Sequence, residues 1–390
     1  MKILVVSNLY PPIRWKGGAE VVARTIVEGL TDEGHDVLVV TTGEGESKEG
    51  KVKMVRFQPS LPYDYLFLDS KPVLSRLWWH IWDLFGWRTY YEVKKAIQSF
   101  QPDLIWCHNW VGLGLMGLLA VRRSGVPWIQ HLHDIQLQDP SGMIIYGYNK
   151  SWLQKVLIWK YGLFTRQIIG KPTLVISPSR WLGEWYKQHG WFAHVPMLTI
   201  ANPLPDGTVK GEYKEREQDG LLRLLYAGQI TRPKGVEWLV ETLADSALDF
   251  QLTVVGDGAM LEELRLEYGG DKRFVFLGKT DHQAVLEMMA ESHCLIVPSL
   301  VRENCPTVIL EAFGHGCAVV VNDVGGAGEL VKESNGGFVV IPLDKNSLLE
   351  ALNKRAGMAV MGKQALEWVK RRTLKKYLTE VLESIENKRP

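Results

Sequence analysis

The sequence is poor in cysteine and has no long apolar run. Its four cysteines, Cys107, Cys294, Cys305 and Cys317, show neither the paired spacing of a metal site nor a disulfide framework, so we expect a reducing, cytoplasmic location. The longest uninterrupted apolar stretch, residues 111–121, is shorter than the ~20 residues that span a bilayer. The first seven residues carry one basic residue and a short apolar run, which predicts a strand and not a signal peptide.

Several motifs of catalysis and cofactor binding are also missing. The chain has no Asp-x-Asp, no HExxH and no cysteine pair, so we expect no metal. It has no Gly-Lys-Ser/Thr loop, and no Gly-x-Gly-x-x-Gly follows the first strand of either half, which argues against a nicotinamide dehydrogenase. No bound cofactor is therefore expected. With 46% hydrophobic and 23% charged residues, the chain is not disordered, collagen-like or a coiled coil.

Charge and tryptophan are distributed unevenly along the 390 residues. The net charge is +1, but residues 1–200 carry an excess of basic groups and the remainder an excess of acidic ones. Most of the 15 tryptophans lie at or before Trp191. This asymmetry predicts two domains with different partners. The basic excess of the first half is too weak for the footprint of a nucleic-acid-binding protein, so we expect no nucleic-acid partner.

The chain contains the same strand–loop–helix pattern twice. Continuous apolar runs at residues 3–6 and 37–41 flank a helical pattern, and further runs lie at 102–107, 127–131 and 173–177. The pattern begins again with runs at 221–227, 250–255, 274–277, 294–297 and 318–321. Apolar runs without alternation indicate parallel sheets that are covered on both faces. The sequence therefore predicts the α/β class, with two doubly wound Rossmann-like domains.

We place the domain boundaries by composition. The N-terminal domain covers residues 1–200, and a Pro- and charge-rich linker covers 201–220. A C-terminal domain covers 221–372, and a helix at 373–390 is expected to pack back toward the N-terminal domain. Ligands of doubly wound sheets bind beyond the carboxyl ends of the strands, so a cleft between the two domains is the expected site.

Two glycine-containing loops are candidates for phosphate binding. Gly17 and Gly18 lie just before the first helix, whose N-terminal N–H groups suit a phosphate, although any such turn can use glycine for its backbone alone. The loop of residues 228–235 carries Arg232 and Lys234 next to another helix start, and two cations there suit a diphosphate. The alternative for this loop is a solvated basic turn.

Residues 299–314 form the most informative segment. Pro306 is suited to the first turn of a helix that contains Glu311, and Glu303 lies in the loop before it. Glu311 lies in an otherwise apolar stretch, and a buried carboxylate without a partner is costly, so we expect it to bind a ligand or to form a structural hydrogen bond. Two weaker candidates are His133-Asp134 after a strand and the Gly256-Asp257-Gly258 turn, for which a plain turn is an equal alternative.

Together these segments resemble the retaining nucleotide-sugar glycosyltransferases of family 4, which have the GT-B fold. The resemblance covers nearly the whole chain, and it implies that the N-terminal domain, residues 1–200, binds the acceptor and that the C-terminal domain, residues 221–372, binds the nucleotide sugar. Its most specific piece is the Glu303-x7-Glu311 pair with Asn-Cys-Pro after the first glutamate. The other matching pieces are Tyr10-Pro-Pro12, Gly17-Gly-Ala-Glu20, His133-Asp134, Ser177-Pro-Ser-Arg180, Ala201-Asn-Pro203, Lys234-Gly235, Gly256-Asp-Gly258 and Gly325-Gly-Ala-Gly-Glu329.

The resemblance implies a role for each site residue. Glu311 resembles the ligand of the donor ribose, Lys234 that of the diphosphate, and His133 a histidine beside the donor sugar. Gly17 and Gly18 resemble the loop over the phosphates. Gly256 and Asp257 are expected to contact the donor, and Glu303 with residues Asn304, Cys305, Pro306 and Thr307 is expected to surround the transferred sugar. We take His133, Glu303 and Lys234 as catalytic. Many members have arginine where this chain has Gln229, so Arg232 is expected to supply the second phosphate cation.

The resemblance implies metal-independent transfer of a hexose from a UDP- or GDP-linked donor to an acceptor hydroxyl, with retention of configuration. The acceptor is expected to be a carbohydrate or a lipid-linked carbohydrate, in lipid-linked glycan, glycolipid or polysaccharide synthesis. The alternatives are a nucleotide-sugar epimerase or hydrolase on the same fold, and a non-catalytic nucleotide-sugar-binding protein.

The first half also suggests an anionic membrane surface as a partner. Residues 77–87 are rich in tryptophan, which favours the water–lipid interface. Residues 150–187 contain far more Lys and Arg than acidic residues, and this basic stretch suits peripheral binding to anionic lipid. The alternative is that these tryptophans pack the core or line an acceptor groove.

Overall fold

The computed structural model describes residues 1–11, 17–216 and 220–386. Three predicted features fall partly outside them: Pro12 of the Tyr10-Pro-Pro motif, residues 217–219 of the linker and residues 387–390 of the last helix. The chain divides into two compact units. The first unit contains Met1–Met143, Asn149–Pro203 and the chain from Leu374 onward, and the second contains Ile144–Tyr148 and Leu204–Thr373.

The first unit follows the predicted alternation of strands and helices. Its elements up to residue 203 are β1 (Lys2–Val6), α1 (Gly18–Asp32), β2 (Asp36–Thr42), β3 (Glu46–Glu49), β4 (Val52–Phe57), a 3₁₀ helix (Tyr65–Ser70), α2 (Val73–Leu84), α3 (Trp87–Phe100), β5 (Leu104–Cys107), α4 (Met116–Arg123), β6 (Trp128–His131), α5 (Trp152–Ile169), β7 (Leu174–Ser177), α6 (Arg180–Gln188) and β8 (Met197–Thr199).

The second unit repeats this alternation. Its elements are β9 (Leu222–Ala227), a 3₁₀ helix (Arg232–Lys234), α7 (Val236–Ala244), β10 (Phe250–Val255), α8 (Leu261–Tyr268), β11 (Phe274–Gly278), α9 (His282–Glu291), β12 (Cys294–Val297), α10 (Thr307–Gly314), β13 (Ala318–Asn322), α11 (Ala327–Ser334), β14 (Gly337–Val340), α12 (Lys345–Asn353) and α13 (Arg355–Lys370). The chain then returns to the first unit with α14 (Leu374–Glu386).

Both sheets are doubly wound, as the sequence predicted. In the described residues the first sheet has the order β3-β4-β2-β1-β5-β6-β7-β8 and the second the order β11-β10-β9-β12-β13-β14. The pairings are parallel except between β3 and β4, an antiparallel edge that apolar runs did not predict. In each sheet the strand order reverses beside the first strand, between β1 and β5 and between β9 and β12. Such a switch point is where ligands of this fold class bind.

The strands form where the apolar runs lie because both faces of each sheet are covered. Ile3, Leu4, Val5 and Val6 of β1 are fully buried. The edge strands β3, β8 and β14 escaped prediction, as did β4, which lies beside the edge strand β3, because strands at or next to an edge are less completely covered and need fewer apolar residues. Thus the α/β class and the two-domain arrangement are confirmed, and the missed strands lie at or beside the edges of the sheets.

The last helix belongs to the core of the first unit. Leu374, Leu378 and Val381 of α14 are buried in the same apolar cluster as β1 and α1. Gly29 of α1 allows the approach, since a Cβ there would lie 2.7 Å from a methyl group of Leu374. The chain therefore crosses back to the first unit, where α14 packs against α1.

Two segments differ from the sequence-based boundaries. Residues 144–148 belong to the second unit, where the N–H of Tyr146 donates to Leu300 O at 2.7 Å. Residues 204–216, which we predicted as linker, also pack on the second unit. The buried Arg216 donates to the backbone carbonyls of His315 and Gly316 at 3.0 and 2.9 Å. Composition misled here, because the charge of Arg216 is satisfied inside the fold by carbonyl groups.

Candidate active site

The second unit places a lysine and a glutamate at the switch point of its sheet. Lys234 follows β9, Glu303 follows β12, and Lys234 Nζ lies 2.8 Å from Glu303 Oε1. The Lys234 side chain is 30% exposed and that of Glu303 18% exposed, so the pair is only partly shielded from solvent. The structure therefore joins two of the three residues that the sequence predicted as catalytic.

The loop that carries Lys234 is held by close backbone packing. Gly235 has φ +73°, and a Cβ there would lie 2.0 Å from the carbonyl oxygen of Pro298 in the loop after β12. The amide of Asn322 holds the same carbonyl with a 2.8 Å hydrogen bond from Nδ2. The N–H of Leu300 donates to Pro233 O at 2.9 Å. These contacts fix Lys234 and Glu303 on adjacent loops.

The loop after Glu303 leads directly into α10. Pro306 precedes Thr307, the first residue of the helix, and Asn304 and Cys305 are buried. The first N–H groups of a helix have no partner within the helix and carry partial positive charge. The start of α10 therefore offers anion-binding N–H groups a few residues from Glu303, as expected for a phosphate or sugar subsite.

Glu311 has a partner that the sequence did not reveal. Its Oε1 lies 3.2 Å from Nε2 of His282, the first residue of α9, and its side chain is 12% exposed. This hydrogen bond raises the pKa of His282, although partial burial opposes the shift. Of the two alternatives for Glu311, a ligand or a structural hydrogen bond, the structure shows the structural hydrogen bond. The largely exposed imidazole of His282 can still yield to a ligand hydroxyl.

The remaining predicted groups of the second unit are more peripheral. Arg232 is 72% exposed and its Nε lies 3.5 Å from Glu237 Oε2, so the second predicted phosphate cation faces an acidic residue. Gly256 is required by packing, because its φ is +138° and a Cβ would lie 1.8 Å from Gly228 O. Asp257 is exposed and accepts the Gly258 N–H at 2.7 Å. These contacts favour a structural turn at 256–258.

The first unit presents Gly17 and Gly18 at the start of α1. Glu20 Oε2 accepts the N–H of Gly17 at 2.8 Å. Gly17 has φ −165°, which any residue adopts, and within the described part of the chain the nearest atom to a Cβ there is Glu20 Oε2 at 3.9 Å. Neither backbone strain nor crowding from the described residues explains a glycine at position 17. The alternative that this turn uses glycine only for its backbone conformation therefore loses its support.

Three histidines form a stacked cluster at the carboxyl ends of β5 and β6. Nδ1 of His108 lies 2.9 Å from Nε2 of His133, and the rings of His131 and His133 stack at 4.5 Å. Burial lowers the pKa of His133 to about 3, so its imidazole is neutral over the physiological range. Burial also lowers the pKa values of His108 and His131, with a smaller effect from His133. His133 can therefore exchange hydrogen bonds with a ligand but does not act as a cation.

The same three histidines are the candidate metal ligands that the described residues provide. Their donor nitrogens lie within 4.8 Å of one another, beside a cavity of about 10 Å³. One feature fits a metal ion poorly: His108 and His133 already hydrogen-bond each other through two of these donor nitrogens. We assign no metal to the cluster.

Asp134 follows the cluster and is held in an unusual state. Burial raises the pKa of its carboxyl to about 7, with smaller contributions from Glu20 and Asp139, while the Gln136 N–H, 2.7 Å away, opposes the shift. Asp134 is therefore a protonated or half-protonated acid near the start of α1. The sequence motif located it, but its pKa depends on burial.

Sequence reasoning missed His282, Asn322 and His108. A histidine directly after the apolar run 104–107 was the available signal for His108, and the helix-capping Asp281 was the signal for His282. Asn322 ends β13, and the apolar run 318–321 directly before it was the same kind of signal. Two motifs of the resemblance have structural roles. Ser179 caps α6 by accepting the Leu182 N–H at 3.1 Å, and the Asn202 side chain partly opposes the lowering of the His131 pKa.

Comparison with known proteins matches both halves of the chain to glycosyltransferases. A family model described as a glycosyl transferase 4-like domain matches residues 17–203, and one described as glycosyl transferases group 1 matches residues 222–356. The putative teichuronic acid biosynthesis glycosyltransferase TuaC of Bacillus subtilis is 24% identical over 91% of this chain and 89% of its own.

Solved structures agree with the fold. Sucrose-phosphate synthase from Thermosynechococcus elongatus superposes with a TM-score of 0.75 at 18% identity, covering 99% of both chains. Anabaena HepE in complex with UDP gives a TM-score of 0.69 at 20% identity, covering 99% of this chain and 100% of that one. The two doubly wound units and these matches define a GT-B glycosyltransferase. Within that class, the chain belongs to the family 4 type.

Proposed function

We propose that this glycosyltransferase moves a hexose from a UDP- or GDP-linked donor to an acceptor hydroxyl, with retention of configuration and without a metal. The observation that carries the proposal is the Lys234–Glu303 pair at the switch point of the second sheet, a few residues before the N-terminus of α10. This arrangement offers a cation, a carboxylate and helix N–H groups to one ligand, as a sugar diphosphate requires.

The chemical problem is the departure of the nucleoside diphosphate from the anomeric carbon. Negative charge grows on the leaving phosphate while the sugar gains oxocarbenium character. Lys234 stabilises the phosphate, since its Nζ is partly exposed and needs only to leave Glu303. The N–H groups at the start of α10 add preorganised donors. In this way the chain supplies the stabilisation that a metal supplies in other sites.

Retention of configuration is what the family resemblance implies. In the second unit Glu303 is paired with Lys234 and Glu311 with His282, and we assign neither carboxylate as a nucleophile. A covalent intermediate needs a carboxylate that attacks the anomeric carbon. As the family resemblance implies, we assign a front-face reaction, in which the leaving phosphate accepts the proton of the attacking hydroxyl. Glu303 stabilises the positive charge on the sugar, and Glu311 binds the ribose hydroxyls.

The first unit contributes neutral polar groups and an open helix start. His133 is neutral because of burial, so it suits hydrogen bonding to a hydroxyl of the transferred sugar. Gly17 leaves space for a phosphate at the start of α1, since, its chain neighbours aside, the nearest described atom to its Cβ position is Glu20 Oε2 at 3.9 Å, the atom that accepts its N–H. We assign both to the donor, as the family resemblance implies.

The proposed acceptor is a carbohydrate or a lipid-linked carbohydrate. Support comes from TuaC, whose name assigns it to teichuronic acid biosynthesis, and UDP bound to HepE supports a uridine donor. We also propose a cytoplasmic location, because all four cysteines are buried and free, and free thiols persist in reducing compartments.

The test is a nucleotide-release assay over UDP-, GDP- and ADP-sugars, with and without candidate acceptors. We expect release that depends on the acceptor and survives EDTA, and a product whose anomeric configuration by NMR matches that of the donor. Hydrolysis or epimerisation of the donor without any acceptor would instead identify the alternative enzyme classes. An inverted product would refute the front-face reaction, and loss of activity with EDTA would refute metal independence.

A further inference from the structure

Helix α2 of the first unit exposes its apolar face. Val73, Leu74, Leu77, Trp78, Ile81 and Trp82 are each between 46% and 81% exposed. Their spacing of i, i+1, i+4, i+5, i+8 and i+9 places them along one side of the helix. In a surface helix of an unpartnered globular protein, this stripe normally faces the core.

The opposite side of α2 faces the protein interior and carries polar groups. Asp83 is 2% exposed and accepts the Gly112 N–H at 3.0 Å, and burial raises its pKa to about 8. Trp79 is fully buried and donates its indole N–H to Tyr63 O at 2.8 Å. Trp79 is thus the core tryptophan of the segment, whereas Trp78 and Trp82 are not. The buried polar contacts anchor α2 in this orientation.

The first half of α5 is exposed on all sides. Every residue from Ser151 to Leu157 is exposed, and Trp152 and Leu153 reach 75% and 53% exposure. Trp159, about two turns after Trp152, is 58% exposed. A single rigid partner covers one side of a helix, whereas a fluid medium surrounds it. This segment therefore suits insertion into a fluid apolar phase.

The two helices meet at their aromatic residues. Phe85, which follows α2 and is 51% exposed, packs on Phe164 of α5 with ring centroids 5.3 Å apart. The half-buried Tyr161 of α5 is also close enough to Asp83 for that carboxyl to raise the pKa of the tyrosine, after the larger effect of burial. The exposed stripe of α2, Phe85 and residues 151–160 thus lie in adjoining elements, which we call the apolar face.

The charges beside the apolar face are basic. Lys155 and Lys160 are exposed on α5, and Lys71 and Arg88 are exposed on either side of α2. The sequence from 70 to 91 and from 150 to 160 contains one acidic residue, Asp83, which is buried. Lys150, which we counted in the predicted basic stretch, is instead paired with Asp139. Exposed tryptophans with unpaired lysines are complementary to an anionic lipid interface.

We propose that α2 and the first half of α5 form a docking surface for an anionic phospholipid bilayer. The tryptophans and leucines enter the interfacial region, and Lys155 and Lys160 contact lipid phosphates. In the described part of the chain, no helix is long and apolar enough to cross a membrane. The face therefore lies in the interface without spanning it.

The test is flotation of the full chain with vesicles of phosphatidylcholine alone or mixed with phosphatidylglycerol, without donor or acceptor. The outcome is therefore independent of the proposed reaction. We expect co-flotation with the mixed vesicles at low salt. Leu74→Asp and Trp152→Asp should each lower partitioning about tenfold or more, since each removes a large apolar contact. Lys155→Glu combined with Lys160→Glu should abolish the preference for anionic lipid.

The matched control is Leu266→Asp on α8, which changes an 88% exposed leucine of the second unit and should leave flotation unchanged. Failure of the wild-type protein to float refutes the proposal, as does equal loss in the control. Light scattering tests whether a second copy of the chain, and not a bilayer, covers the apolar face. A dimer that Leu74→Asp dissociates, without vesicle binding by the wild-type protein, would show that a second copy covers the face.

Discussion

The Lys234→Ala substitution gives the sharpest test of the assigned site. Lys234 Nζ lies 2.8 Å from Glu303 Oε1, and the lysine side chain is 30% exposed. The ammonium group can therefore exchange Glu303 for a donor phosphate by a movement of the side chain alone. That contact strengthens as charge builds up on the leaving group, so it acts mainly in the transition state. Loss of one such donor costs about 3–4 kcal/mol, or roughly 10²–10³ in kcat. Steady-state kinetics with the preferred donor measures it, and circular dichroism confirms folding.

Two further variants isolate the effect of the phosphate contact. Lys345→Ala is the matched control, because this lysine is also ion-paired in the second unit, with Asp245 at 2.9 Å, and should keep full activity. Lys234→Ala also leaves Glu303 without its cation, so we include Lys234→Ala combined with Glu303→Gln. The double variant should be at least as slow as Lys234→Ala, because Glu303→Gln also weakens the stabilisation of positive charge on the sugar. Recovery to the rate of Glu303→Gln alone, or full activity in folded Lys234→Ala, would place the diphosphate elsewhere.

Three other predictions follow from the described contacts. Glu311→Gln should raise the donor KM roughly 10- to 100-fold with little change in kcat, because a charged hydrogen bond to ribose is the same before and during bond cleavage; a fall in kcat alone would contradict this role. Gly235→Ala should lower the free energy of unfolding by roughly 2 kcal/mol or more in urea titrations, because its Cβ meets a carbonyl oxygen at 2.0 Å. Gly207→Ala, with φ +82° and nothing within 4 Å of its Cβ, carries only the backbone strain and should cost less. Stability should also be highest near pH 6.5, as the buried groups of the first unit require. The groups with lowered pKa are His80, His108, His131 and His133, and those with raised pKa are Asp83 and Asp134. Below pH 6.5 the unfolded chain gains the histidine protons that the folded chain refuses, so stability falls as pH falls. Between pH 6.5 and 8 the folded chain holds carboxyl protons that the unfolded chain has lost, so stability falls as pH rises, by about 1.4 kcal/mol per net proton and pH unit. Thermal unfolding measured across pH tests both sides of this stability maximum. Asp83→Asn should reduce the loss of stability above pH 6.5, and stability that rises or falls monotonically with pH would contradict the assigned pKa shifts.

Local sequence determined most secondary structure. Apolar runs located the central strands, and β10 and β12 have the predicted bounds, since buried parallel strands need continuous apolar residues. Pro306 correctly marked the start of α10, because proline lacks the N–H that a first helical turn leaves unused. The spacing between Glu303 and Glu311 likewise set one carboxylate in a loop and the other in a helix.

Tertiary structure alone decided which of these residues meet. Glu303 pairs with Lys234, 69 residues earlier, because β9 and β12 are neighbours in the sheet. Glu311 meets His282 and His108 meets His133 through packing that no local pattern encodes. The pKa values of Asp134 and His133 depend on burial, which is a property of the assembled unit.

The orientation of α2 separates the two kinds of information most clearly. Its sequence determined a helix with one apolar side and one polar side, since that pattern depends only on residues three and four apart. Which side faces the protein depended on distant partners, the Gly112 N–H for Asp83 and the Tyr63 carbonyl for Trp79. Periodicity is a property of a segment, whereas burial is a property of everything packed around it.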